Sequence, residues 1–245
     1  MQVLADDRRE RNRQTLMITI EIAEIPIAID NYYDVIELRL EEYRTSRRAL
    51  FTVSVSVEDM KRETGELSPY AEWLCINRKI ALIVPAYDAF LMHAAVIDID
   101  GQGVAFAAKS GIGKTTRVLM WKKAMGSRVK VVNGDKPILR LIGNSWYAFG
   151  TPWMGKENLG GNTSVCLKCI CFLQRGEKVA LRKLQPQETV PLIFRQALMP
   201  QERRQIAVFM ELLERFVKNV NFFLLTCNMD DEDPAQIWEQ MQMMK

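Results

Sequence analysis

Apolar and polar residues alternate over residues 16–22, where Ile18, Ile20 and Ile22 fall on one side of Thr19 and Glu21. A half-buried strand is expected there. A second alternation, Phe51, Val53, Val55 and Val57 against Thr52, Ser54 and Ser56, predicts another strand over 51–57. Between them, Tyr32, Ile36 and Tyr43 recur at helical spacing and predict a helix over 32–43. Ser68-Pro69 reads as an N-cap followed by a first-turn proline, opening a helix to about residue 84. These elements make a small N-terminal α/β lobe over residues 1–88, with residues 1–14 as a flexible tail. No chemistry is recognisable in it.

A second domain, residues 89–245, is patterned differently. A strand over 91–99 turns at Asp100-Gly101 into another over 103–107. A glycine-containing loop follows directly, then a helix over 115–124. A short apolar strand, 129–132, stops at Asn133-Gly134-Asp135, and strands 138–142 and 145–149 bracket Gly143-Asn144 as a hairpin. A loop rich in Gly, Asn and Pro covers 150–162. Strands near 165–174 and 179–184, helices near 186–197 and 202–219, a strand at 221–226 and a helix at 234–243 complete the chain. Hairpins on both sides of strand 103–107 predict an α/β fold with a mixed, twisted sheet and flanking helices, with the site at the carboxyl end of that strand.

Composition narrows the classes. Hydrophobic residues make up 48% and charged residues 26%, the balance of an ordinary globular protein. Lys and Arg total 33 against 30 for Asp and Glu, so a dedicated nucleic-acid binder is not expected. The cluster Arg8, Arg9, Arg11 and Arg13 reads as a solvated tail. No apolar run reaches the roughly 20 residues a bilayer span needs, and charge dominates positions 6–13, where a signal peptide would be apolar. A cytoplasmic location is expected, and five cysteines without a framework fit reduced thiols. Cys166, Cys169 and Cys171 lie in an apolar run, with Cys169 and Cys171 on one strand face. Core packing is predicted for them, since Cys227 stands alone and the chain has one histidine.

The chemistry concentrates at Ala108-Lys109-Ser110-Gly111-Ile112-Gly113-Lys114-Thr115, a P-loop pattern with Ala in place of the first Gly. Backbone N–H groups of such a loop curl around phosphate oxygens, and the helix N-terminus adds partial positive charge. Ser110, Gly111, Ile112, Gly113, Lys114, Thr115 and Thr116 form the expected cradle. Lys114 is assigned to the β- and γ-phosphates and the Thr115 hydroxyl to Mg²⁺. An ordinary turn is the alternative; the strand before and the helix after favour the cradle. Asp135, at the end of strand 129–132, is the candidate metal carboxylate, against the simpler reading of a turn aspartate.

With His93 near the end of one strand, 105–116 as phosphate loop and 132–136 as acidic turn, the chain resembles the HPr kinase/phosphorylase catalytic domain, itself related to the phosphoenolpyruvate carboxykinases. It looks closer still to uncharacterised HPr-serine-kinase-like proteins. These share Asn133-Gly134-Asp135-Lys136-Pro137, Gly150-Thr151-Pro152-Trp153 and Gly155-Lys156-Glu157. Some of them act in peptide natural-product pathways and phosphorylate a peptide hydroxyl. The resemblance covers residues 90–175. It implies an ATP- and Mg²⁺-dependent kinase with a Ser or Thr acceptor on a protein or peptide. HPr kinases form hexamers, but the flanks of this chain differ too much for that assembly to be transferred; a homo-oligomer is left open.

The same resemblance implies that Glu157 contacts magnesium and that His93 sits beside the phosphates as a base or a polarising group, against the simpler readings of a solvated loop carboxylate and a satisfied core histidine. Thr151, Lys156, Glu157 and Asn158 are expected to supply metal contact and substrate recognition, with Trp153 as a lid or a packing anchor. Lys136 and Arg140 are either phosphate contacts or ordinary strand charges. Two departures stand out. The family carries two adjacent aspartates where this chain has Gly134-Asp135, and the first of them is the family's proposed base. Its glycine- and isoleucine-rich signature is replaced here by 150–161. A nucleotide-binding regulatory or peptide-binding module without phosphotransfer is therefore the alternative function, and a plain ATPase ranks third.

Overall fold

The computed structural model describes residues 17–109, 111–227 and 233–244. Ser110 and the four N-terminal arginines lie outside them. The chain divides into two compact units, the first ending at Ile80 and the second beginning at Ala81.

In the first unit β1 (Met17–Ile22) pairs antiparallel with β2 (Ile25–Asp30), which pairs in parallel with β3 (Phe51–Ser54). The pattern along the chain missed β2. It is central and almost wholly buried, so its apolar run lacks alternation, and Pro26 falls at its start, where a missing donor is tolerated. The turn into it is made by Ala23 and Glu24 at φ 54° and 59°, without glycine. The expected helix over 32–43 is shorter: α1 (Val35–Leu40) ends in a single 3-10 turn. Strand 51–57 is cut short by Ser56, whose hydroxyl accepts from Asp59 N while Asp59 accepts from Ser56 N. That reciprocal cap starts α2 (Val57–Thr64), and α3 (Pro69–Ile83) follows.

The second unit is a curled, mixed sheet between two helical layers. Its strands are β4 (Ala89–Leu91), β5 (Ala94–Ile99), β6 (Gln102–Ala107), β7 (Val129–Asn133), β8 (Ile138–Ile142), β9 (Ser145–Phe149), β10 (Ser164–Arg175), β11 (Ala180–Lys183) and β12 (Asn221–Cys227). Their order is β4-β8-β9-β10-β6-β5-β7, with β12 beside the second half of β10 and β11 beyond it. β6, β10 and β12 run parallel, and the other pairs are antiparallel.

Alternation along β5 and β6 divides the core. Val96 and Ala105 face α5 (Pro186–Phe194) and α6 (Arg203–Asn219). Ile97 and Phe106 face α4 (Lys114–Met125) and α7 (Pro234–Met243), where Phe106 meets Trp121 edge to face at 5.0 Å. Cys169, Cys171 and Cys227 belong to this second core, and burial pushes the Cys169 thiol up to about 12. Among the described residues no helix is long and apolar enough to cross a membrane.

Candidate functional site

The expected strand over 91–99 breaks at Met92 and His93. β4 pairs with β8, whereas β5 turns away to pair with β6 and β7, so His93 sits where the chain changes partners. Its backbone N–H is held by Gln196 O at 2.7 Å. Because β5 and β6 are antiparallel, with Ala94 opposite Ala107, the start of β5 lies beside the end of β6, from which the loop before α4 departs. The loop enters α4 through Gly113, the N-cap, at φ 105°. A side chain is strained in that left-handed conformation, which explains the glycine.

Lys114 therefore reaches His93: its Nζ lies 3.0 Å from His93 Nε2 and donates to Ala108 O at 3.2 Å. On the other side of the imidazole, Asp135 Oδ1 is 3.1 Å from the same Nε2, and Asp135 Oδ2 accepts from Lys136 Nζ at 2.9 Å. One ring nitrogen thus faces an ammonium and a carboxylate. Protonated, it donates to Asp135; bare, it accepts from Lys114.

Burial works to raise the Asp135 pKa. Hydrogen bonds from His93 and Lys136, and their charge, override it and bring the carboxyl to about 2. A folded pKa below the unfolded 3.8 contributes stability that is present above pH 4 and lost as pH falls through 2. Asp135→Asn should remove this part of the acid limb, on the order of 2 kcal/mol, in denaturant titrations at pH 5 and pH 2. An unchanged difference between the two pH values would contradict the paired carboxylate.

Burial likewise lowers the Lys114 pKa, the Asp135 charge raises it and the Lys136 charge lowers it, for a net depression. A depressed lysine costs stability in full below its folded pKa, a cost relieved as pH rises past it. An anion at the ammonium offsets the same cost.

Behind Asp135 lies a buried polar knot. Asn133 Oδ1 accepts from the backbone N–H of Asp135 and Lys136 at 2.9 and 2.8 Å, and Asn133 Nδ2 donates to Thr151 O at 3.0 Å. The Thr151 hydroxyl donates to Lys136 O at 2.7 Å and accepts from Trp153 N. Asn133 and Thr151 are both fully buried. The expectation that Thr151 meets metal or substrate is thus corrected: its hydroxyl is consumed in holding the acidic turn. Trp153 is buried as well and acts as the packing anchor. Thr151→Val should cost about 1–3 kcal/mol by orphaning Lys136 O and Trp153 N, with Thr151→Ser recovering most of it in thermal melts.

Lys136 joins the site, whereas Arg140 lies along β8 opposite Ala89 and Tyr147. Lys156, Glu157 and Asn158 are exposed on the 150–161 loop. A Cβ built on Gly155 would stand 3.7 Å from Asp135 Cγ and 3.8 Å from Glu157 Oε2, so both carboxylates flank one glycine. Asp135 and Glu157 bring oxygen donors alone to Gly155, the kind that suits Mg²⁺, though among the described residues no group of three or more His, Cys, Asp or Glu side chains could hold a metal ion.

No family model matches the chain, and no curated protein matches it. Among solved structures, the Hpr(Ser) kinase/phosphatase from Coxiella burnetii is distantly similar. Its identity is 13%, over 63% of this chain and 92% of that one, with a TM-score of 0.37. Likeness at that level carries no inference about the site.

Two residues at the loop were not anticipated. Arg175, at the end of β10, donates to Gly111 O at 2.8 Å. Gln196, oriented with its amide nitrogen inward, donates to the carbonyls of Ala108 and His93 at 3.2 Å each. Neither stands in a recognisable motif; only strand pairing and the chain's return after α5 bring them near.

Proposed function

We propose that this protein is an ATP- and Mg²⁺-dependent kinase that transfers the γ-phosphoryl group to a hydroxyl, a Ser or Thr of a protein or peptide. The observation that carries this reading is the convergence of Lys114, first residue of the helix after the loop, with His93 and Asp135 within hydrogen-bond reach. A desolvated ammonium at a helix N-terminus is built to receive phosphate. Thr115, Asp135 and Glu157 would hold Mg²⁺, which would supply charge neutralisation at the transferring phosphates.

The roles divide by chemistry. When phosphate oxygens draw Lys114 away, His93 Nε2 is freed to take the proton of the acceptor hydroxyl. The oxygen then attacks the γ-phosphorus, and ADP leaves with the bridging oxygen. Asp135, with a pKa of about 2, is a weak base; 3.1 Å from Nε2, it accepts from that nitrogen once the proton has been taken.

A second reading, a nucleotide-binding module without transfer, is favoured by one observation. The position where the resembling family has its first aspartate is Gly134, and a Cβ there would lie 2.7 Å from Met154 O. The test is calorimetric titration with Mg²⁺-ATP followed by transfer from γ-labelled ATP to Ser- and Thr-containing peptide pools. Binding with labelled product supports the kinase; binding with no product from any pool supports the module; no binding of ATP, GTP or pyrophosphate removes both.

A further inference from the structure

A cavity of about 320 Å³ lies between the start of β11 and the first turns of α7. Val179, Leu181 and Ile237 give it apolar walls, and Asp233, Gln236 and Gln240 supply polar groups. It belongs to none of the machinery described above.

Its place follows from strand pairing. β5 and β7, which lead to His93 and Asp135, lie on one side of β6. On the other side come β10, β12 and β11 in turn. The pairs Ala107 with Phe172, Arg175 with Cys227, and Thr226 with Ala180 follow the same edge of the sheet from the phosphate loop to the cavity. Three strand spacings separate them, about 14 Å. Arg175, bonded to Gly111 O, stands at the end of β10 between the two.

A nucleotide bound for transfer has its γ-phosphate at the His93 side of the loop, so its base extends the opposite way along this edge. We infer that the cavity receives the purine base of that nucleotide, an inference that rests on the kinase reading. The volume lies at the small end of ligand sites and suits a single heterocycle better than a peptide. Val179, Leu181 and Ile237 offer apolar cover for the ring, while two carboxamides, each with donors and an acceptor, can read its edge.

The experiment compares Mg²⁺-ATP with Mg²⁺-tripolyphosphate by calorimetry on the full chain. Val179→Trp, just before β11 and on the same face as Leu181 toward α7, adds bulk to a wall of the cavity. Gln236→Ala, on the solvent side of α7, removes a base contact without adding bulk. Wild type should bind ATP more tightly than tripolyphosphate. Val179→Trp should weaken ATP about tenfold and Gln236→Ala about threefold, with tripolyphosphate unchanged in both. ATP affinity unchanged in both variants overturns the base site, as does wild type binding tripolyphosphate as tightly as ATP; in either case the phosphate loop still stands. If wild type binds neither ligand, the kinase reading fails and the base site falls with it.

Discussion

Lys114→Ala is expected to weaken Mg²⁺-ATP binding at least about tenfold and to lower phosphoryl transfer by about 10²–10³. The ammonium is half-buried, 3.0 Å from His93 Nε2 and bonded to Ala108 O, with burial the main cause of its depressed pKa. Within the protein it has a neutral carbonyl and an imidazole as partners and one carboxylate beyond them. Triphosphate oxygens would give it full charge-assisted bonds, strongest as charge builds on the transferring group. Because the free ammonium costs stability at neutral pH, Lys114→Ala should melt no lower than wild type, while Mg²⁺-ATP should raise the melting point of wild type alone. A folded Lys114→Ala protein that still transfers phosphate at the wild-type rate would refute the assignment.

Gly134→Asp, which restores the pair of aspartates seen in the resembling family, is expected to destabilise rather than to activate. A Cβ at 134 would sit 2.7 Å from Met154 O and 3.1 Å from Leu159 O, both backbone atoms. Relief requires moving the 150–161 loop, which is pressed onto the acidic turn by further glycines: a Cβ on Gly160 would lie 2.7 Å from Val132 O, and one on Gly150 would overlap Gly161 O. Overpacking of this kind costs about 3 kcal/mol, or about 6–12 °C in melting temperature for a unit of this size. Gly134→Ala should cause most of the same loss, since the clash begins at Cβ. Wild-type melting with increased turnover in Gly134→Asp would show that the loop yields and that the position accepts a base.

The two residues whose roles changed most, Gly134 and Thr151, illustrate what a linear pattern leaves out. Gly134 reads as part of a turn signal, and its departure from the family reads as a lost base. The contact with Met154 O shows instead that the turn and the 150–161 loop are packed so closely that no side chain fits between them. Thr151 looks like a loop hydroxyl free for ligand, yet it is buried against Asn133. Hydrogen bonding across a separation of 18 residues is invisible to periodicity.

In the first unit the limits have a different cause. The β1–β2 hairpin turns on Ala23 and Glu24, two non-glycine residues in the left-handed region, so the usual turn chemistry is missing from the sequence. Burial on both faces hides the period of β2. Capping by Ser56 then converts the end of an apparent strand into a helix start.

What the sequence determined by itself is local. The strand at Gln102–Ala107, the helix from Lys114, the hairpin at Gly143-Asn144 and the turn at Asn133–Asp135 follow from period, glycine placement and Asx chemistry within a few residues. It also supplied the phosphate-loop pattern, because that pattern is contiguous. Tertiary structure alone decided the break of the 91–99 strand at His93, the meeting of Lys114, His93 and Asp135, and the approach of Arg175 and Gln196. Each arises because antiparallel and parallel pairing bring the ends of β5, β6, β7 and β10 to neighbouring positions along one region of the sheet. Pairing joins residues by backbone hydrogen bonds across long separations, and a one-dimensional hydrophobic pattern records which face is buried but not which strand lies beside it.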